Sequence, residues 1–192
     1  MVALSRDFEQ MSARADSSLW NAQAAVRSGE VLVDALLGND PVAVADSAMV
    51  LLLRTIQYDV FSPSTAAYDA LVASGDIELL EDAELKQALT DFFGAFDDLR
   101  ASEGMVLNGQ RDFFNSQSYH SLIGARLMRS VLAGDPGAPA QAVARWADSN
   151  ELVNGIFNMF VAQSFALDDY LFLRRSIDHI RGLLDPAADA GA

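Results

Sequence analysis

Near the start of the chain, Leu4, Phe8, Met11, Ala15, Ser18, Ala22, Ala25, Gly29, Leu32 and Leu36 recur in alternating steps of four and three. That is the period of a helix turning one face toward a neighbour. Leu19, Val26 and Val33 widen the face. A helix over about residues 3 to 37 follows, roughly 50 Å long at 1.5 Å per residue, so the bundle is expected to be elongated. The small residues from Ala15 to Gly29 leave little side-chain bulk in the seam, so a partner backbone can come close there.

Gly38-Asn39 predicts the stop of this helix, and Asp40-Pro41 the N-cap and first position of the next. Residues 41 to 59 are apolar on more than one side, the pattern of a medium helix buried among others. Phe61-Ser62-Pro63-Ser64 ends it, and a short helix over about 64 to 73 closes at Ser74-Gly75. Asp76 to Leu80 reads as an irregular or single helical turn. Asp82 can cap a second long helix whose Leu85, Leu89, Phe92, Phe96, Leu99, Val106 and Phe113 again step by four and three. Glu103 and Gln110 interrupt that stripe, and Gly94, Gly104 and Asn108-Gly109 predict a kink or break near 102 to 110.

A helical segment is expected over Tyr119 to Leu132, then a loop from Gly134 to Pro139 and a short helix over 140 to 147. Asp148 and Glu151 have capping-box spacing before a third long helix, over about 149 to 184. Its expected buried set is Leu152, Ile156, Phe157, Phe160, Val161, Leu167, Leu171, Ile177, Ile180 and Leu184. No alternating stretch of convincing length and no internal repeat is present, so the fold class is all-α. The prediction is a single helical-bundle domain over 1–186, an elongated bundle of three long and one medium helix with short capping helices. The tail 187–192 is expected to be disordered.

Composition narrows the function classes more than it selects one. The chain has 192 residues, 51% of them hydrophobic, with a formal net charge of -14, so a nucleic acid or an anionic membrane surface would meet like charge. Twelve of the thirteen basic residues are Arg and Ala is the commonest residue, a bias that a GC-rich genome explains more simply than salt adaptation. Ten acids and two bases lie between Asp69 and Glu103, which reads as a solvated helix face. Zero cysteines exclude disulfides, thiolate metal sites and cysteine nucleophiles. No apolar run approaches the roughly 18 residues of a membrane span, the longest being Ala48 to Leu53, and the first residues lack a secretory pattern.

Candidate chemistry is sparse. His120 and His179 stand in no pattern that aims several ligands at one metal, so no metal and no cofactor is expected. His179, near Arg174, Arg175 and Arg181, is read as a surface residue complementing a helix C-terminus, rather than the three arginines as an anion site. Tyr119-His120-Ser121 holds a nucleophile and a base, but helix neighbours point about 100° apart and no orienting acid is recognisable. Asp97-Asp98 and Asp168-Asp169-Tyr170 pair carboxylates that diverge along a helix, whereas acid–base work needs convergence across a cleft. No phosphate-binding, dinucleotide or calcium loop is present. Arg111, Arg126, Arg129 and Arg145 lack the aromatic platforms of a nucleic-acid groove. Trp20 and Trp146, with Phe92, Phe93, Phe96, Phe113, Phe114, Phe157 and Phe160, could line a ligand pocket between helices, although such stripes are what buried faces are made of.

Ser64-Thr65-Ala66-Ala67-Tyr68-Asp69-Ala70-Leu71-Val72-Ala73-Ser74-Gly75-Asp76-Ile77-Glu78-Leu79-Leu80, continuing through Glu84-Leu85 to Asp91-Phe92-Phe93, resembles a motif of bacterial membrane-anchored helical proteins of unknown function. In them a Thr, an aromatic and a Leu precede Ser-Gly, followed by an apolar pair and a helix with paired aromatics; Lys86 stands where they usually carry Arg. One N-terminal transmembrane helix precedes their helical extracytoplasmic region. The resemblance covers about 30 residues and implies attachment through an anchor outside this chain, on the periplasmic side of the inner membrane. Without an anchor the expected location is the cytoplasm. In physical terms, Ile77, Leu79 and Leu80 are expected to plug the end of the bundle. The leading functional expectation is a non-enzymatic interaction or sensor-type region, with a protein partner or self-association and no nucleic acid. The second is a small-ligand-binding bundle with an aromatic pocket. An enzyme built on Tyr119, His120 and nearby carboxylates is the distant third.

Overall fold

The computed structural model describes residues 2–38, 41–123, 127, 129, 133 and 138–185. Among them every regular element is helical. These are α1 (Val2–Leu37), a 3-10 turn (Pro41–Val44), α2 (Ala45–Ile56), α3 (Ala66–Ser74), a second 3-10 turn (Asp76–Leu79), α4 (Ala83–Asn115), a π-helical turn (Tyr119–Ile123), α5 (Ala138–Ala147) and α6 (Asn150–Leu184). The all-α bundle of long and short helices is thus the one that the periodicity predicts. The cap expected of Asp40, most of the segment after Ile123, residues 134–137 of the expected loop and the tail lie outside the described residues, while Ala138 and Pro139, expected in that loop, already belong to α5.

The chain divides into two compact units. The first comprises residues 1–20, 59–101 and 168–192, and the second residues 21–58 and 102–167. All ten seam positions of α1, from Leu4 to Leu36, are buried, because their period keeps one face inward along the whole helix. In α4 the seven apolar positions are buried, and Glu103 is buried among them at its place in the same register. The predicted break near 102 to 110 does not occur, since α4 continues unbroken to Asn115. Gly109 serves packing instead: a Cβ there would stand 3.0 Å from Met159 Sδ.

Helix α6 buries the predicted stripe at its ends, at Leu152, Ile156, Ile177 and Ile180, and a different one between them. Leu152, Ile156, Met159, Gln163, Ala166, Tyr170, Leu173, Ile177 and Ile180 are buried, again in steps of four and three, while Phe157 and Leu171 are exposed and Phe160, Val161 and Leu167 only half-buried. The helix is apolar on several sides, so hydrophobicity alone leaves its rotation undetermined. Gln163 settles it in the second unit by donating to Thr55 O and Gln57 O, at 3.2 and 3.1 Å. Tyr170 does so in the first unit, donating to Asp59 O at 3.0 Å.

Helix α2 is likewise less buried than its sequence implies. Ala48, Leu52, Thr55 and Ile56 form one inward stripe, and Val50 and Leu53 face out. Within the second unit α2 and the Pro41–Val44 turn pack on α5, whose Trp146 is fully buried and donates its indole N–H to Leu122 O at 3.3 Å. Helix α6 starts on Ser149 rather than on the expected Asp148 box. Ser149 Oγ accepts from Leu152 N, whereas Asp148 N still donates back to Ala144 O and belongs to the end of α5. Glu151 takes the Ser118 hydroxyl at 2.5 Å instead of closing a box.

In the first unit, Asp82 Oδ1 accepts from Leu85 N at 3.0 Å and caps α4 as predicted. Helix α3 is capped from a distance, for Asp7 Oδ2 on α1 accepts from Ala67 N at 3.2 Å and sets a carboxylate against the positive helix end. Gly75 closes α3 at φ 77, the left-handed conformation. Gly75→Ala is expected to cost about 1–2 kcal/mol, measured by urea denaturation. A Cβ there meets nothing within 4 Å, so the cost would be backbone strain alone. The following turn is no plug for a bundle end: Leu79 is 75% exposed, and Ile77 and Leu80 are half-buried.

The ring of Tyr68 on α3 stacks on Phe93 at 3.5 Å between centroids. Burial, with Asp69 beside it, raises the Tyr68 phenol above its ordinary range. A raised phenol favours the neutral form in the folded state. The associated stability is complete below about pH 10 and is lost as pH climbs through the folded value. Tyr68→Phe is expected to remove that part of the alkaline loss, seen as a smaller drop in denaturation midpoint above pH 10.

Candidate functional site

The deepest chemical contrast among the described residues lies in the first unit, in a groove between α4 and α6 of about 650 Å³. Helix α4 lines it with Thr90, Asp91, Gly94, Ala95 and Asp98, and α6 with Asp168, Asp169, Phe172 and Arg175. Positions 91, 94, 95 and 98 share one helix face by the period of 3.6, and 168, 172 and 175 share another. Phe92, Phe96 and Leu99 hold α4 in the core by its opposite side, and Tyr170, Leu173 and Ile177 hold α6. The groove therefore lies on the outer side of two helices whose inner faces are buried.

Its charge is uneven. Four carboxylates meet the single guanidinium of Arg175, and Phe172, 44% exposed, gives an apolar surface among them. Gly94 leaves the α4 wall bare, since a Cβ there would meet nothing within 4 Å. A second hollow of about 200 Å³, lined by Glu84, Gln87, Ala88, Ser176 and His179, adjoins the first through Asp91 and Phe172, which line both. Gln87 Nε2 donates to Asp91 Oδ1 at 2.7 Å, and His179 Nε2 stands 3.7 Å from Glu84 Oε1.

Asp98 and the Asp168-Asp169 pair, each divergent along its own helix, thus converge from two helices onto one groove. The sequence contains no sign of it, because the meeting depends on how α4 and α6 are rotated. Asp97 lies near Arg100, at 3.8 Å, and the Arg100 guanidinium carbon sits 4.5 Å over the Phe96 ring. Among the described residues, no group of three or more His, Asp or Glu is placed to hold a metal ion.

The arginines around His179 do not share an anion. Arg174 binds Asp178 and, at 2.5 Å, Asp16, hydrogen-bond partners that raise its pKa in that order and hold it charged. Arg181 donates to Ser12 Oγ at 3.3 Å, and Arg175 lies in the groove. Tyr119, His120 and Ser121 fall in one π-helical turn, where Ser121 Oγ donates to Ser118 O and Tyr119 packs edge-on to Phe113 and Phe114. That places no histidine nitrogen on a hydroxyl in this turn. The aromatic set divides: Phe92, Phe93 and Phe96 pack with Phe8, Phe61 and Tyr68 in the first unit, while Trp20 is 69% exposed. Arg111 and Arg145 serve local contacts to Asp112 and Gln141 O. Arg126 lies outside the described residues.

No family model matches this chain, and neither curated proteins nor solved structures provide a match. What is established is its class, an all-α bundle built on three long helices. No described helix is long and apolar enough to cross a membrane.

Proposed function

We propose that this chain is a non-enzymatic interaction or sensor-type helical region of a bacterial membrane-anchored protein. The reading is carried by the surface of α6, where Phe157, Phe165 and Phe172 are 42%, 55% and 44% exposed while Gln163 and Tyr170 occupy the buried seam. Burying a phenylalanine is worth about 1.5–3 kcal/mol. Three half-exposed phenylalanines on one helix leave that stabilisation unused in its own core, and we read them as contacts for a partner. Helices of 33 to 36 residues also transmit displacement along their axes, which suits a sensor. The membrane attachment and periplasmic placement rest on the Thr65 to Phe93 motif.

The test is site-specific photo-crosslinking in the native host. A photoreactive phenylalanine analogue at Phe165 is expected to give discrete protein adducts, and the same group at exposed Glu30 is not. Equal patterns at both positions, or none, would overturn the interaction reading. The attachment is checked separately by fractionation, where the native protein is expected to pellet with membranes; recovery in the soluble fraction overturns that part alone.

A further inference from the structure

We infer that the α4/α6 groove of the first unit docks a basic amphipathic helix of a protein partner, a proposal that rests on the interaction reading and names the chemistry of the partner. The carboxylates are spread, not focused, and at four they outnumber the one guanidinium, that of Arg175, which shares the groove and subtracts one charge from it. Asp91 and Asp98 are seven residues apart on α4, about 10 Å along its axis, and face Asp168 and Asp169 on α6. Such spacing matches a row of lysines or arginines better than a single ion. The two hollows together run from Glu84 to Asp98, about 21 Å, the length of some four helical turns. Phe172 lines both hollows and is the one large apolar side chain in either among the described residues, so the occupant pairs an apolar contact on one helix face with flanking positive charge.

A second copy of this chain fits poorly, because its 13 basic residues are outnumbered by 27 acidic ones and leave it a net charge of -14. Charge complementarity therefore favours a foreign, basic segment. Gly94 gives it room: replacing it with a larger residue would fill the α4 wall without touching any packed neighbour.

The probe is a fluorescent amphipathic helical peptide of about 16 residues made of leucine and lysine, titrated with the full chain and followed by anisotropy. The parent is expected to bind, more weakly as salt rises. Asp91→Asn/Asp98→Asn/Asp168→Asn is expected to weaken binding by about tenfold or more. Gly94→Leu should weaken it comparably while leaving every charge in place, and its helical circular dichroism should be undiminished. Asp76→Asn/Glu81→Gln, acidic positions of the first unit that precede α4 and line neither hollow, should change binding by no more than about twofold. The inference is overturned if the parent does not bind, if Gly94→Leu binds like the parent, or if the outside pair weakens binding as much as the groove triple. It is equally overturned if spermine or an all-lysine peptide binds as tightly, since a groove for simple polycations would not need Phe172. Adducts at Phe165 with no peptide binding would leave the interaction reading standing and remove this one.

Discussion

Phe92→Ala is expected to lower the stability of the first unit by about 3–5 kcal/mol, a large fraction of what holds a domain folded. Phe92 is fully buried on α4, and its ring meets Phe8 of α1 edge-on at 5.1 Å, Phe93 at 5.0 Å and Phe96 at 6.4 Å. Truncation removes the transfer energy of the ring and leaves a hollow that rigid neighbouring helices fill only in part. Phe92→Leu, which keeps most of the volume, should cost clearly less. Urea denaturation followed by circular dichroism reads the size of the loss, and hydrogen exchange locates it, with amides near Leu89 and Ile177 expected to exchange faster. A loss below about 1 kcal/mol would mean that this aromatic cluster does not anchor the unit.

Gln163→Glu is expected to destabilise the second unit by more than about 3 kcal/mol at neutral pH, and Gln163→Leu by about 2–3 kcal/mol. Gln163 is fully buried, and its amide N–H groups satisfy the carbonyls of Thr55 and Gln57 where α2 ends and the chain turns extended. Between them, Ile56 O accepts from Gln110 Nε2. Helix ends leave carbonyls without helical partners, and here side chains of α4 and α6 supply the donors. Leucine removes the donors and leaves the fully buried Thr55 carbonyl short of one, partly offset by its own apolar burial. The offset is larger than usual because Gln163 Oε1 has no hydrogen-bond partner in its buried place.

Glutamate is worse because it places a charge against carbonyl oxygens. Burial and those oxygens both push such a carboxyl above its unfolded range, so the penalty is absent below the unfolded carboxylate pKa and grows as pH rises toward the folded value. The Glu variant should therefore recover toward the stability of the parent as pH falls, while the Leu variant stays flat relative to the parent. A Glu variant as stable as the parent at pH 7 would remove the clasp from the account.

Much of the helical layout was legible because its signals are local. Asp82 as cap, Gly75 as terminator and the ten-position seam of α1 depend on residues within a turn or two, and all stand where predicted. The misreadings share one cause. Glycines in α4 read locally as breakers, yet Gly109 answers the sulfur of Met159, 50 positions away. Asp7 caps a helix 60 residues downstream. The candidate groove was visible only as two separate pairs, Asp97-Asp98 and Asp168-Asp169, and its apolar member Phe172 carried no signal at all.

The amino-acid order by itself determined that this chain is helical, where most helices begin and end, and which face of α1 lies inside, because a 3.5-residue period and a cap act within a few residues. Only the tertiary structure decided the rotation of α6, and with it the groove. Several stripes of that helix are apolar enough to be buried, and the choice fell to the one whose Gln163 and Tyr170 reach backbone carbonyls more than a hundred residues away. Once they are inside, Asp168 and Phe172 must face out beside Asp91 and Asp98.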